Sequence, residues 1–207
     1  MVFSSILFIF FFLPTFLITY FLLPKKCRNT VLLIFSLIFY AWGEPIYIFL
    51  MLFSAFINYI FSILISKHKK KLYLVIVVVI NILLLGVFKY ADFILANINS
   101  IFKINIPFLN LSLPIGISFF TFQALSYTID VYNKKVPVQK NYFKLLTYIS
   151  MFPQLIAGPI VRYQDVINEI DNREVNFNKF SEGFVRFLKG LYKKVLIANT
   201  IGILWDK

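Results

Sequence analysis

Thr30–Ser66 reads TVLLIFSLIFYAWGEPIYIFLMLFSAFINYIFSILIS, an apolar run interrupted once, at Trp42-Gly43-Glu44-Pro45. A glycine, a carboxylate and a proline in succession break a helix and mark an interfacial turn. The run therefore predicts a helical hairpin, with a short arm over Val31–Ala41 and a longer one over Ile46–Ile65. The short arm would be about 17 Å long, so it needs a thinned bilayer or cover from neighbouring helices.

Composition agrees with a chain that lives in lipid. Of 207 residues, 60% are apolar and 14% charged, and the mean hydropathy is +0.81. Soluble domains are about 45–50% apolar and about 25% charged. A globule of this size could not hide so much apolar side chain within itself. This argues against a soluble enzyme, a disordered chain and a nucleic-acid-binding domain, despite the net charge of +12. The single cysteine, Cys27, allows neither an internal disulfide nor a thiolate zinc cluster, so no metal centre is expected.

Outward from the hairpin, Val2–Leu23 carries no charge over 22 residues, about 33 Å as a helix, enough for a bilayer core of about 30 Å. It lacks the basic start and small-residue cleavage site of a secretory signal, so it reads as a retained span with a kink at Pro14. Leu72–Phe88 just spans. Lys89–Leu113 is mixed, and Ile94, Ile98, Ile101 and Phe102 share one helical face, which suggests an interfacial segment. Ile115–Val131 is the next span.

Charge tests this arrangement. Lys25, Lys26 and Arg28 follow the first span; Lys67, Lys69, Lys70 and Lys71 follow the hairpin; Lys134, Lys135 and Lys140 follow Ile115–Val131. All ten fall on one side, while the opposite loops hold only Lys89 and Lys103. The positive-inside rule then places the basic loops in the cytoplasm and the N-terminus outside a multi-pass plasma-membrane protein.

Ile115–Val131 is unusually polar for a span. Gln123, Ser126 and Asp130 (i, i+3, i+7) form one stripe. Such a stripe either bonds to neighbouring helices, with Asp130 paired to Lys134 at i+4, or lines a substrate passage. In Tyr142–Tyr163, Pro153, Gly158 and Pro159 fall within seven residues, so no continuous helix can form. Broken backbone at membrane depth must be covered by protein or line water, which predicts a re-entrant element over 142–163. Arg162 at its end is either a lipid-phosphate anchor or a bidentate ligand for phosphate or carboxylate. In Phe177–Leu204, Phe177, Phe180, Phe184, Phe187, Leu188, Leu191 and Val195 oppose Glu182, Arg186, Lys189 and Lys193, which predicts a basic amphipathic helix lying at the cytoplasmic surface or entering the membrane through its later apolar end.

His68 is the only histidine and sits in Lys67-His68-Lys69-Lys70-Lys71. A catalytic base needs a sheltered site and an orienting partner, so His68 reads as a loop residue. Cys27, beside Lys26 and Arg28, reads as an incidental juxtamembrane thiol, acylation being the other possibility.

Several motifs occur together and in order. They are the first apolar span, Phe39-Tyr40-Ala41-Trp42-Gly43-Glu44-Pro45, Leu113-Pro114-Ile115-Gly116-Ile117-Ser118-Phe119-Phe120-Thr121-Phe122-Gln123, Tyr127-Thr128-Ile129-Asp130-Val131-Tyr132 and Phe152-Pro153-Gln154-Leu155-Ile156-Ala157-Gly158-Pro159-Ile160-Val161-Arg162-Tyr163. This set resembles the bacterial branch of the membrane-bound O-acyltransferase family, the alginate O-acetyltransferase type and relatives acting on peptidoglycan or teichoic acids. The resemblance implies an all-α polytopic membrane enzyme around a tunnel. Such an enzyme moves an acyl group from a cytoplasmic donor, acetyl-CoA or a carrier fed by it, to hydroxyls of an extracytoplasmic polymer. It needs no bound cofactor and works with periplasmic or extracellular partner proteins.

The tunnel lining would include Gln123, Ser126, Asp130, Pro153, Gly158, Pro159 and Arg162. The family's catalytic histidine lies on a later span, so residues 1–207 correspond to the N-terminal portion of one such domain. A chain without that span is expected to be inactive alone. Two other classes fit the broken helices and the basic surface: a transporter or polymer-export subunit, and a non-catalytic scaffold.

Overall fold

The computed structural model describes residues 3–68, 70–155, 158–159, 161–173 and 175–205, save the side chains of Asp171, Ile203 and Leu204. Among these residues the fold is helical with no strand.

Helix α1 runs over Phe8–Leu22, its first turn wound as π-helix. After a 3₁₀ turn at Lys25–Cys27, α2 covers Arg28–Gly43 and α3 covers Ile48–His68. The predicted hairpin forms, but its first arm begins at Arg28 rather than Val31. Its 16 residues reach about 24 Å, so less thinning is needed than the sequence suggested. The break falls at Glu44, as the glycine and proline require.

The largest departure is α4, a single helix over Lys71–Phe102. The expected end at Phe88 does not occur, and the segment read as interfacial is mostly the continuation of this helix. Lys89 and Asp92 are compatible with a helix. The chain turns only at Lys103, which adopts the left-handed conformation at φ 52°, and then folds back in extended form. Asp92 holds that return strap, accepting bonds from the amides of Leu109 at 2.8 Å and Asn110 at 3.1 Å. Asn99 bonds both backbone groups of Ile106 at 2.9 Å.

Helix α5 covers Ile117–Tyr132, α6 Tyr142–Ser150, α7 Phe152–Leu155, α8 Tyr163–Asp171 and α9 Phe177–Tyr192. The last continues through a π-helical stretch at Lys193–Ala198 into α10, Asn199–Trp205. The amphipathic periodicity thus forms a helix over the predicted range. None of α9 is fully buried, but Phe180 meets the Phe21 ring edge-on at 5.7 Å and Phe187 packs against the aromatic cluster of α1 and α2. Ile156, Ala157 and Ile160 of the predicted re-entrant element lie outside the described residues.

Helices α3 and α5 form the centre, with α2, α4 and α6 packed around them and α1 laid on α2. Two helices, α3 and α4, are long and apolar enough to cross a membrane. In α4 only Val77 and Asn81 are buried, and large apolar side chains such as Ile6, Phe10, Phe49, Ile82 and Phe93 face outward. A water-soluble monomer would not expose such an area, so these are membrane-facing surfaces.

Where α3, α4 and α5 meet, polar groups are joined to one another. Asn58 Nδ2 donates to Asn81 Oδ1 at 3.1 Å and to the Ser54 carbonyl at 2.9 Å. Asn81 Nδ2 reaches the Val77 carbonyl at 2.8 Å. The Thr128 hydroxyl lies 2.9 Å from Asn58 Oδ1 and 3.0 Å from the Ala124 carbonyl, and its one proton serves either. All four residues are buried. Ser54, Asn58 and Ser62 are spaced i, i+4, i+8, which places them on one face of α3.

This network yields a coupling prediction. Asn58→Ala and Asn81→Ala should each destabilise the protein by on the order of 0.5–2 kcal/mol. The double variant should lose clearly less than the sum, because either truncation already breaks the shared bond. Unfolding in mixed micelles with increasing dodecyl sulfate measures this; strictly additive losses would contradict it.

Candidate functional site

The candidate site grows from the place where α6 must stop. Asn141 caps its start, its side-chain oxygen accepting from the amides of Phe143 at 2.9 Å and Lys144 at 3.3 Å. Leu145 to Ser150 are buried. The chain leaves α6 at Met151 (φ −51°, ψ 111°), which takes the Phe152 amide away from the Tyr148 carbonyl, and Pro153 has no N–H to offer Ile149, so the last carbonyls of the helix lack helical donors.

Side chains replace the missing donors. The Tyr148 carbonyl accepts two amide bonds, from Gln123 Nε2 of α5 and from Gln154 Nε2 of α7, each at 2.8 Å. The Met151 carbonyl takes the amides of Gln154 at 3.2 Å and Leu155 at 3.1 Å, which starts the short α7. Phe152 donates its amide to Ser36 Oγ at 3.3 Å, and its ring sits among Phe8, Phe12, Phe16 and Phe39 with centroids 5.3–6.3 Å away.

The turn before α5 closes on the same element. Gly116 has φ +79°, and a Cβ there would lie 3.3 Å from the Leu155 carbonyl oxygen. Glycine is needed on both counts, the left-handed backbone and the close approach. Ile115 is clamped from the hairpin break, its carbonyl accepting from Tyr40 Oη at 3.1 Å and its amide donating to Glu44 Oε1 at 3.2 Å. Gly158 is tighter still, since a Cβ would lie 2.7 Å from Gln154 Cα.

A tyrosine cluster ties the far end to α8. Tyr148 Oη donates to the Val161 carbonyl at 2.8 Å. The Tyr163 ring meets Tyr127 and Tyr148 edge-on, at 4.8 and 5.1 Å between centroids. Gln139 donates its backbone amide to Tyr127 Oη at 2.8 Å and its side-chain amide to Tyr163 Oη at 2.9 Å.

Against this frame the residues read from the sequence separate into groups. Gln123 is buried and bonds a backbone carbonyl. Ser126 is half-buried on α5. Asp130 is 7% exposed, and its Oδ2 is buried without a hydrogen-bond partner. The Asp130–Lys134 pair of a continuous helix is not made by that oxygen. The helix ends at Tyr132 and Lys134 turns outward with φ 58°. Pro153 and Pro159 are exposed, Gly158 is half-buried, and Arg162 is an exposed residue at the N-cap of α8. His68 is exposed at the end of α3, its ring 5.9 Å from that of Tyr73.

Sequence reading overlooked the roles of Gln139, Tyr148 and Gln154, which position the break, and the Asn58–Asn81 pair; Glu44 is legible as part of the hairpin turn but not as the acceptor for the Ile115 amide. The asparagines were visible as amides inside apolar runs. Gln154 could be found only once the Tyr148 carbonyl was known to need a donor. Two further buried oxygens without hydrogen-bond partners, Thr121 Oγ1 on α5 and Ser150 Oγ on α6, lie on the same pair of helices as Asp130. A cleft of about 720 Å³ opens at the basic end of α3 and α5, with Ile65, Ser66, Tyr132, Lys134 and Lys135 on its walls. Among the described residues no group of three potential metal ligands converges.

No family model matches the chain, and no solved structure matches it. Curated relatives do. The probable alginate O-acetylase AlgI of Pseudomonas aeruginosa is 39% identical over 216 residues, covering 100% of this chain and 41% of that protein. The probable alginate O-acetylase AlgI of Azotobacter vinelandii is 38% identical over 100% of this chain and 43% of its own length. The peptidoglycan O-acetyltransferase of Helicobacter pylori is 34% identical over 96% of this chain and 45% of its own length. The chain thus spans about two fifths of the length of the relatives it matches. The resemblance carried by the motifs is borne out.

The doubly bonded carbonyl predicts an unequal response to mutation. Gln123→Ala or Gln154→Ala alone leaves one donor in place and should cost at most about 1 kcal/mol. The double variant strands a buried carbonyl and should cost more than the sum of the singles by about 1–3 kcal/mol. Thermal or denaturant unfolding in detergent checks this; a double-variant loss equal to the sum of the singles would refute a shared role.

Proposed function

From the kinship of this chain with the alginate and peptidoglycan O-acetylases, we propose that it serves membrane O-acyl transfer to an extracytoplasmic polysaccharide or cell-wall polymer. The observation that carries the reading is similarity along essentially the whole chain, at 34–39% identity, to proteins of those names. The acyl group is acetyl and the donor a thioester, acetyl-CoA or a carrier loaded from it. In the reaction the acyl carbon–sulfur bond breaks, an ester carbon–oxygen bond forms, and the hydroxyl proton leaves with the thiol.

Such a reaction across a membrane needs a polar passage through an apolar wall. The buried oxygens of Thr121, Asp130 and Ser150 on α5 and α6, together with Gln123, support those two helices as part of its lining. The break at Met151–Arg162 would act as a fixed, re-entrant part of that wall. Arg162, exposed beside it, is the side chain best suited to hold a donor phosphate or an acceptor carboxylate bidentately. His68, exposed with no orienting carboxylate in its neighbourhood of sequence, is not placed to act as the base that deprotonates the acceptor. The basic loops 25–28, 67–71 and 134–140 face the cytoplasm, where the donor is made.

Two measurements test this. In the source organism, Arg162→Gln should lower ester-linked acetate on the envelope polymer by about tenfold, the scale of one lost charge-assisted bidentate contact, with protein level in the membrane unchanged. Unaltered ester content would remove Arg162 from the mechanism. Transport of a solute into vesicles without transfer of labelled acetyl would favour an export subunit instead.

The orientation has its own check. A membrane-impermeant maleimide should modify Asn133→Cys only from the cytoplasmic side and Asn110→Cys only from outside, both in a Cys27→Ser background. The reverse pattern would invert the topology.

A further inference from the structure

Two adjoining cavities near the start of α2 match the two ends of a phospholipid. The first, about 520 Å³, gathers Lys25, Lys26 and Arg28 with Lys144 of α6 and Arg173 after α8, around Tyr20. No carboxylate lines it among the described residues. Arg28 and Arg173 place their guanidinium carbons 5.3 and 5.8 Å from the Tyr20 ring centroid. Arg173 is fixed there by donating to Tyr20 Oη at 2.6 Å and to the Glu169 carbonyl at 3.1 Å. Arg28 Nε is buried without a hydrogen-bond partner. Two guanidinium groups on one ring, with the exposed ammonium groups of Lys25 and Lys26 beside them, give the cavity a cationic wall that suits an anion.

The second cavity, about 610 Å³, shares Lys26, Asn29 and Lys144 with the first. Beyond those residues its character changes, for it runs between α2 and α6 along Leu33, Ile34, Leu37 and Phe143. From Asn29 to Leu37 this wall extends about 12 Å along α2. The end of α1 beside the basic cavity is apolar and outward-facing, Leu22 being 78% exposed. A polyanion in solution would gain from the cations but leave the apolar groove unused. A phosphate-headed lipid uses both.

We propose that these cavities form a binding site for an anionic phospholipid, with the phosphate among Arg28, Arg173 and the lysines and an acyl chain between α2 and α6. The site is separate from the Tyr148 clamp and from Arg162, and its test does not use acetyl transfer, so it can fail independently of the proposed function.

The test uses the purified protein in neutral detergent, with phosphatidylglycerol, phosphatidylcholine and inorganic pyrophosphate as probes, read by native mass spectrometry and calorimetry. Phosphatidylglycerol should be retained at least about tenfold more tightly than phosphatidylcholine. Arg28→Gln with Arg173→Gln should abolish the preference. Lys25→Gln with Lys26→Gln should reduce it several-fold; both lysines are exposed, so this variant tests the charge without disturbing the fold. Ile34→Trp, which fills the groove from a half-exposed position, should weaken phosphatidylglycerol and leave pyrophosphate binding unchanged. Lys103→Gln, an exposed cation outside the cavities, should change nothing. Equal retention of the two lipids, or an unchanged preference in the lysine variant, would overturn the site. Pyrophosphate binding as tight as the lipid's, with Ile34→Trp without effect, would overturn the lipid assignment in favour of a soluble phosphate.

Discussion

The carbonyl oxygen of Tyr148, held by two glutamine amides at 2.8 Å, is the point on which the rest of the arrangement depends. An unpaired backbone carbonyl in an apolar interior costs several kcal/mol. The chain leaves α6 at Met151, and the amide of Phe152, the one a continuing helix would bring to Tyr148, turns to Ser36 Oγ instead. The donors must come from side chains, and each donor fixes an element. Gln123 sets how closely α5 approaches α6, and Gln154 requires α7 to fold back under the end of α6. Leu155 then comes so near the start of α5 that only glycine fits at position 116. The glycine at 116 in one motif and the glutamine at 154 in the other thus meet at the same clamp.

What the sequence revealed and what it concealed divide along the range of the physics. Breaks at Gly43–Pro45 and Pro153 are local chemistry, decided by a missing N–H or a missing Cβ, and they were legible. Helix α4 was not, because Lys89 and Asp92 look like an end of a span while both are compatible with a helix. Asp92 has a partner in the amides of Leu109 and Asn110, which no local pattern announces. The i+4 pairing of Asp130 with Lys134 presumed a helix reaching residue 134, and the chain leaves it at Tyr132. Gln154 was unreadable for a related reason, since its value lies in an acceptor six residues back across a break.

Packing divides the helices into two kinds. Helix α5 has ten buried residues among its 16, whereas α4 buries two of 32. Lipid is as apolar as leucine, so outward-facing α4 loses little by staying uncovered, and helix association has to come from shape and hydrogen bonds. That explains why the polar side chains concentrate where α3, α4 and α5 meet. The Asn58–Asn81 pair gives α4 a specific partner that its apolar surface cannot supply. The aromatic cluster around Phe152 does the same for α1 by geometry alone, through edge-on ring contacts.

Helix α6 belongs to both the clamp and the lipid groove, and its dimensions make the two interdependent. It has nine residues, about 13.5 Å, too short to bend along its length. Lys144 and Thr147 face the groove against α2, and the carbonyl of the next residue, Tyr148, receives both glutamines. A chain seated between α2 and α6 bears on the same rigid body that presents this carbonyl to α5 and α7. The hydrogen bonds at 2.8 Å tolerate only a few tenths of an ångström before they weaken. The groove wall and the clamped carbonyl are thus carried by adjacent residues of one short helix.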